Sequence, residues 1–217
     1  MSFKSKLSII VIAATAMSLG FWLSSIQQEK MTEARKNFSQ IQGSILSPAR
    51  KINVPALIKD NGDAFTQDDI TGHWSLLFFG YTHCPDICPV TMGVVAQAKR
   101  TAAADNQLFP DVFFISVDPQ RDKLEMLGEY IRYFDRDFTG VTGKQELIKA
   151  LTLQMSVVYL KIPAADQTAG LSDDNYLIDH SSALLLLNPE GKLTAFLDSP
   201  HDPKTILKDI KKVISLQ

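Results

Sequence analysis

The sequence contains only two cysteines and no excess of basic residues. Two thiols are too few for a disulfide-stapled miniprotein or a four-cysteine zinc site. With 22 Lys and Arg against 24 Asp and Glu, the chain lacks the positive field of a nucleic-acid-binding protein, so no nucleic-acid partner is expected. A content of 45% hydrophobic residues excludes a disordered chain, and 217 residues can bury a core unaided. Any metal would therefore be functional rather than structural.

The N-terminal region contains the longest stretch without charge. No charged side chain occurs over residues 7–28, about the ~20 residues that a helix needs to cross a bilayer. Lys4 and Lys6 precede this stretch, and the positive-inside rule then places the rest of the chain outside a cytoplasmic membrane. We predict a single-pass anchor over residues 1–28 in a bacterial inner membrane, with the soluble domain in the periplasm. The alternative is a cleaved signal peptide, because Ala14-Thr15-Ala16 is a small-x-small site.

Residues 29–50 are polar and weakly periodic, which indicates a spacer before a domain over residues 51–217. In this domain strand-like and helix-like patterns alternate, as is typical of an α/β sheet with parallel strands. Two continuous apolar runs, Ser75 to Tyr81 and Asp111 to Val117, are typical of strands buried on both faces.

Further elements complete the predicted fold. Helices are predicted over residues 90–104, 123–134 and 145–155, the first opened by Pro89, and a short strand over 157–161. A turn at residues 188–191 indicates a hairpin, and Asp202 should cap a last helix that begins at Pro203. We therefore predict a thioredoxin-like α/β fold with an added β-hairpin, which by itself does not define a function.

Both cysteines lie in one segment, GYTHCPDICP over residues 80–89, between a buried strand and a helix. Open α/β sheets bind ligands at such positions, and a helix N-terminus lowers thiol pKa, so thiolates are expected near neutral pH. Three residues separate Cys84 from Cys88, whereas a thioredoxin-type oxidoreductase has two. A disulfide is an open alternative, although so short a loop gains little from crosslinking. Two thiolates form a soft site that favours Cu(I), zinc or iron-sulfur clusters.

A third ligand would come from one of four histidines. His83 adjoins Cys84 and is interpreted as an orienting residue, His73 as a surface residue, and His201 as a neighbour of a helix cap. His180 ends a polar loop just before an apolar strand, so the fold could return it to the cysteine segment. From position alone His180 is a weak candidate, because lone histidines usually serve packing or caps.

Four separated blocks of the sequence resemble a known family. They are GYTHCPDICP at 80–89, ISVDPQRD at 115–122, FTGVTG at 138–143 and YLIDHSSALLLLNPEGKL at 176–193. In order and spacing they resemble the Sco/SenC family, copper-binding proteins of cytochrome c oxidase assembly, from about Ile52 to the C-terminus. The combination of C-x-x-x-C-P with a distant D-H-S is more specific than either part alone.

This resemblance implies a thioredoxin-like domain that binds one copper per chain, as Cu(I) or Cu(II), through Cys84, Cys88 and His180. It implies cytochrome c oxidase subunit II as the partner, whose dinuclear copper centre would receive copper or reducing equivalents. A copper donor or a thiol reductase would be a further partner, and the inner membrane would be contacted through the N-terminal helix. The polar segment over residues 163–175 is predicted to be a hinge that places His180.

Four other residues have two interpretations each. Asp86 could act at the site, by contacting a docking partner or modulating thiolate charge, or it could stabilise a turn. Asp118 and Arg121 could supply hydrogen bonds around the metal site, although a helix cap and an ion pair fit the pattern better. Met92 could be a soft ligand, but core packing is the better interpretation.

The leading functional hypothesis is a membrane-anchored copper chaperone without enzymatic turnover. Its main rival is a periplasmic thiol-disulfide oxidoreductase that uses Cys84 and Cys88 without copper. A peroxidase-like relative is a weaker third hypothesis, because the expected threonine-bearing cysteine context is missing. Replacement of His180 should separate the first two hypotheses, since only the chaperone needs this side chain.

Overall fold

A computed structural model describes Thr15 and residues 17–28, 41–163 and 176–216, and the chain divides into two units, Met1–Gln40 and Ile41–Gln217. In the first unit residues 17–28 form a helix, α1. Within the part of the chain that is described, no helix combines the length and the apolar character that a membrane crossing requires. Much of the predicted membrane segment, residues 7–14 and residue 16, lies outside the described residues.

The second unit is built on an eight-stranded mixed sheet. Numbered along the chain and given in spatial order, its strands are β1 (Gly43–Lys51), β10 (Lys192–Leu197), β9 (Leu184–Leu187), β4 (Ser75–Gly80), β5 (Asp111–Ser116), β6 (Thr139–Thr142), β2 (Leu57–Lys59) and β3 (Ala64–Phe65). Among the described strands, neighbours pair in the parallel sense only between β4 and β5 and between β5 and β6. The expected parallel sheet is thus limited to the centre, because the β9–β10 hairpin joins β4 in the antiparallel sense.

Continuous apolar runs at the centre of the sheet account for the core. All six residues of β4 are buried, as are five of the six in β5 and all four in β9. Strands without an exposed face are expected where helices or loops cover both sides of a sheet. The predicted strands at Ser75 and Asp111 and the predicted hairpin are therefore confirmed.

The described residues of this unit form four α-helices: α2 (Ile87–Ala104), α3 (Leu124–Phe134), α4 (Gln145–Gln154) and α5 (Pro203–Ile214). The predicted cap of α5 is confirmed, because Asp202 Oδ1 accepts hydrogen bonds from the N–H groups of Lys204 and Thr205, both at 3.0 Å. Helix α2 begins two residues before Pro89, the predicted start. Proline is tolerated throughout the first turn, where backbone N–H groups have no intrahelical partner.

Strand β1 occupies residues that the sequence assigned to the spacer. Gly43–Lys51 pairs with β10, although most of its side chains are exposed or half-buried. None of its residues is fully buried, and its register with β10 is irregular. Its sequence therefore lacks the alternation of apolar and polar residues that marks a half-buried strand. The sheet consequently extends upstream of residue 51.

A separate two-stranded ribbon consists of β7 (Tyr159–Pro163) and β8 (Tyr176–His180). The strands are antiparallel, with Tyr159 opposite His180 and Pro163 opposite Tyr176. The predicted short strand near residue 157 corresponds to β7, whereas His180 ends a strand rather than the expected polar loop. Residues 164–175, most of the predicted hinge, lie outside the described part of the chain.

Candidate metal centre

The two cysteines lie together between the end of β4 and the first turn of α2. The N–H group of Cys84 donates to the carbonyl oxygen of Tyr81 at 3.2 Å, and the N–H group of Cys88 donates to Cys84 Sγ at 3.4 Å. Both cysteines are free thiols, 8% and 0% exposed. The turn and the helix start therefore hold both sulfurs in a largely buried pocket.

Each cysteine shifts the acidity of the other. A hydrogen bond from the Cys88 thiol lowers the pKa of Cys84 to about 4, with additional help from His180 and from the N–H groups of Asp86 and Cys88. The same hydrogen bond, together with burial, raises the pKa of Cys88 above its ordinary value. Near neutral pH the pair therefore shares one proton, and the expected thiolate is Cys84 alone.

His180, at the end of β8, brings an imidazole to the sulfurs. Its Nε2 atom lies 3.2 Å from Cys88 Sγ, and its Nδ1 atom lies 2.9 Å from the carbonyl oxygen of Ser181. A carbonyl oxygen only accepts, so Nδ1 donates this hydrogen bond, and Nε2 is the ring atom that faces the thiol pair. The rings of Phe78 and Tyr81 pack edge-on against the imidazole at 5.9 and 6.0 Å.

Cys84, Cys88 and His180 thus form a group whose three ligand atoms all lie within 4.8 Å of one another. Among the described residues it is the one group of at least three potential His, Cys, Asp or Glu ligands with this spacing. Two sulfurs and one imidazole nitrogen are a soft donor set, suited to copper or zinc and not to magnesium or calcium. The arrangement can hold one such ion.

The other three histidines point to different partners. His83 is exposed, and its Nδ1 atom is 3.0 Å from the hydroxyl oxygen of Thr82. His73 and His201 hydrogen-bond through Nε2 to main-chain carbonyl oxygens, at 3.1 and 2.7 Å. None of the three joins the Cys84, Cys88 and His180 group.

Asp118 and Arg121 form a buried ion pair. The Nε atom of Arg121 donates to Asp118 Oδ2 at 2.5 Å, and Nη1 donates to the carbonyl oxygen of Tyr176 at 3.0 Å. The expected ion pair is confirmed, but the expected helix cap is wrong. Helix α3 has Lys123 at its N-cap and no capping side chain, because Asp118 is turned toward Arg121 and Tyr176 instead.

Two further predicted positions, Asp86 and Met92, differ in their exposure to solvent. Asp86 is exposed at the N-cap of α2, and its carboxylate makes no hydrogen bond to any described residue. Met92 is 0% exposed in the core, which confirms packing as its role.

The sequence did not single out three residues that shape this site: Tyr81, Asp122 and Tyr176. Asp122 is 1% exposed, and its carboxylate accepts hydrogen bonds from the N–H and hydroxyl groups of Thr82 and from the Ser116 hydroxyl. It thereby fixes the start of the cysteine loop to the end of β5. Its place as the second aspartate of the ISVDPQRD block is the signal that could have identified it.

The fold and these side chains define a class: a thioredoxin-like domain with a Cys-Cys-His centre beside the first turn of a helix. The SCO1/SenC family model matches residues 49–215. The chain belongs to the SCO1/SenC family, as the sequence blocks predicted.

Individual relatives agree with this assignment. The chain is 30% identical to the mitochondrial protein SCO1 homolog 1 of Arabidopsis thaliana over 211 residues. This match covers 97% of this chain and 61% of that protein. It is 34% identical over 157 residues to an SCO2-like protein of Rickettsia felis, covering 71% of this chain and 73% of the relative. The crystal structure of Arabidopsis thaliana ScoI with copper bound superposes with a TM-score of 0.66 at 33% identity, over 75% of this chain and 96% of that one.

Proposed function

We propose that this protein is a copper chaperone that serves cytochrome c oxidase. It would deliver copper, or reducing equivalents, to the dinuclear copper centre in oxidase subunit II, the partner that the family resemblance implies. The observation that carries the proposal is the meeting of Cys84, Cys88 and His180 within 4.8 Å in a chain of the SCO1/SenC family. The copper reported for Arabidopsis ScoI supports copper as the cargo.

The three side chains would bind one copper per chain. Two thiolates favour Cu(I), and an added imidazole supplies a donor that suits Cu(II). Cys84 and Cys88 are presented by the junction of β4 and α2, whereas His180 is presented by the separate β7–β8 ribbon. The cysteines would therefore be the constant ligands and His180 the ligand that can be released when copper leaves.

We further propose that residues 1–28 anchor the protein in a bacterial inner membrane and that the domain lies in the periplasm. The charge-free stretch over residues 7–28 and the preceding Lys4 and Lys6 support this orientation. An oxidising compartment would oxidise the thiol pair, so a thiol reductase partner is part of the proposal alongside a copper donor.

A thiol-disulfide oxidoreductase is the second candidate, and one observation favours it. The lowered pKa of Cys84 gives a thiolate at neutral pH, with Cys88 next to it. Such a pair has the features of a nucleophilic and a resolving thiol. In this function His180 would have no necessary ligand role.

Copper binding by the reduced full-length chain in detergent tests the proposal. We expect one copper per chain, with a Cu(II)-thiolate absorption that is lost in His180→Ala, while Cu(I) binding by the two sulfurs persists. His83→Ala is the matched control, since it removes an exposed histidine from the same loop, and it should retain both signals. Identical Cu(II) spectra for the wild type and His180→Ala would contradict the proposed ligand set.

Dithiol chemistry separates the two candidate functions. If the oxidoreductase hypothesis is right, the metal-free protein should reduce a disulfide substrate at a rate that Cys84→Ser abolishes and His180→Ala largely retains. A copper chaperone without this activity would show no catalytic turnover in the same assay.

A further inference from the structure

Strand β8 is attached to the cysteine loop mainly through side chains. The β7–β8 ribbon is a sheet of its own, with no main-chain ladder to the eight-stranded sheet among the described strands. The N–H group of Ile178, in the middle of β8, donates to the hydroxyl oxygen of Tyr81 at 3.2 Å instead of to a neighbouring strand. The position of His180 therefore depends on the contacts that hold β8 from outside the ribbon.

Tyr81 is the first of these contacts. It is 1% exposed and lies three residues before Cys84, whose N–H group donates to the Tyr81 carbonyl oxygen. Its hydroxyl group accepts from Ile178, and its ring packs edge-on against the His180 imidazole. Tyr81 thus contacts the cysteine loop through its main-chain carbonyl group and β8 through its side chain.

The second contact is a cluster around Tyr176, the first residue of β8. The Tyr176 hydroxyl group donates to Asp118 Oδ1 at 2.7 Å, and the Arg121 guanidinium lies 3.7 Å from the centre of the Tyr176 ring. Arg121 also donates to the Tyr176 carbonyl oxygen and lies 5.6 Å from the ring centre of Tyr81.

This cluster is shielded from solvent. The side chain of Asp118 is 0% exposed and that of Arg121 is 10% exposed. Charge-assisted hydrogen bonds and cation-π contacts are stronger when water is excluded, and they restrict geometry more closely than surface pairs do. The buried pair can therefore fix the start of β8 more firmly than an exposed pair could.

We infer that Tyr81, Arg121 and Tyr176, with Asp118, form a latch that sets the distance of His180 from the thiol pair. They are positioning residues, since none of them is a ligand: Arg121, Tyr176 and Asp118 hold the start of β8, and Tyr81 contacts both β8 and the imidazole. The inference rests on the proposed function only in treating His180 as a metal ligand. Cys84 and Cys88 are held by the junction of β4 and α2, so opening the latch should displace one of three ligands and leave the other two in place.

Two substitutions each weaken one contact of the latch. Tyr176→Phe removes the hydrogen bond to Asp118 but keeps the ring beside Arg121. Tyr81→Phe removes the acceptor of the Ile178 N–H group but keeps the ring beside His180. In both variants β8 should leave the cysteine loop more often, because one of its attachments is lost.

Tyr159→Phe is a matched control on the same ribbon. Tyr159 lies directly opposite His180 on β7, and its hydroxyl group accepts a hydrogen bond from Gln145 Nε2 at 2.7 Å. This variant therefore removes a hydroxyl contact that holds the ribbon to α4 without touching the latch.

Amide hydrogen exchange of the reduced, metal-free full-length chain tests the latch without copper. We expect exchange over β8 to accelerate about five- to tenfold in Tyr176→Phe and in Tyr81→Phe, and less than about twofold in Tyr159→Phe, with α2 unchanged in all three. Unchanged exchange over β8 in both latch variants would overturn the inference. So would equal acceleration in Tyr159→Phe or an equal acceleration over α2, which would indicate general loosening.

Copper affinity provides the second measurement. In Tyr176→Phe and Tyr81→Phe we expect Cu(II) affinity to fall about tenfold while Cu(I) affinity stays within about twofold. Equal losses for both oxidation states would overturn the inference. If the wild-type chain binds no copper, the proposed function fails, whereas the exchange measurement still decides whether the latch exists.

Discussion

A side chain on Gly80 would collide with the sulfur of Cys88. A Cβ atom placed on Gly80 would lie 2.8 Å from Cys88 Sγ and 2.9 Å from the nearest ring atom of Phe114. Glycine at the end of β4 therefore lets the first turn of α2 lie directly against the strand. This explains why glycine occupies the first position of the GYTHCPDICP block.

Gly80→Ala should disturb both the fold and the thiol pair. We expect the free energy of unfolding to fall by about 1–3 kcal/mol, as in other overpacked cores, and Cu(I) affinity to fall as Cys88 is displaced. Denaturant unfolding and competition with a Cu(I) chelator measure the two effects. Gly93→Ala in α2 is the control: no heavy atom lies within 4 Å of its Cβ position, so stability should stay level or rise by up to about 1 kcal/mol. Equal losses in the two variants would refute the collision.

Asp122→Ala should loosen the start of the cysteine loop. The substitution leaves the Thr82 N–H group and the Ser116 hydroxyl group without the carboxylate that accepts their hydrogen bonds at 3.0 and 2.6 Å. We expect a loss of about 2–3 kcal/mol in urea unfolding, because buried polar groups lose their partner. Asp86→Ala removes an exposed carboxylate from the same loop and should change stability by less than about 0.5 kcal/mol. A loss in the Asp86 variant as large as that in the Asp122 variant would contradict this role.

The thiol pair should make stability depend on pH. The folded pKa of Cys84 is about 4, below the ordinary thiol value of 9.0, and the folded pKa of Cys88 is above it. Between the folded pKa of Cys84 and the ordinary thiol pKa, the unfolded pair binds two protons and the folded pair binds one, so the free energy of unfolding should rise with pH. Above the ordinary thiol pKa the unfolded pair loses both protons while folded Cys88 keeps its own, so the free energy of unfolding should fall again. Urea unfolding of reduced, metal-free protein from about pH 5 to about pH 8 measures the rise.

The double variant Cys84→Ser with Cys88→Ser isolates this contribution. The stability difference between wild type and double variant should increase across that pH range, because the variant has no thiols to titrate. A difference that stays constant or shrinks as pH rises would show that the pair does not share a single proton.

Asp202→Ala should weaken the last helix. The carboxylate satisfies two N–H groups of the first turn of α5, and loss of such a cap costs about 1 kcal/mol. Asp202→Asn should recover most of that loss, since its side-chain oxygen can accept the same bonds. Thermal unfolding followed by circular dichroism measures both variants, and a wild-type midpoint in Asp202→Ala would rule the cap out as a stabilising feature.

The centre of the fold could be predicted from the sequence because its signals are local. The run Ser75 to Tyr81 is buried throughout, and the turn at Asn188 is held by its own side chain, which accepts from the N–H groups of Glu190 and Lys192. Short or polar strands gave no such signal. β1 depends on main-chain pairing with β10, and β2 and β3 contain only three and two residues.

The site was predictable only in part. The thiol pair is visible as C-x-x-x-C before a helix, but Cys88 and His180 are 92 positions apart, and no local pattern relates them. Their association was expected only because of the family resemblance. Two further features of the site arise from three-dimensional contacts, which periodicity and propensity do not encode. They are the proton shared by Cys84 and Cys88 and the attachment of β8 through Tyr81 and Tyr176.

The separation of the β7–β8 ribbon from the large sheet has an evolutionary consequence. Adding or deleting residues between Pro163 and Tyr176 would leave the register of the eight strands unchanged, because the ribbon shares no ladder with them among the described strands. Lengthening the stretch from Tyr176 to His180 would instead pull the imidazole off the sulfurs. Homologous sequences should accordingly differ in length before this tyrosine and keep a constant four-residue step after it.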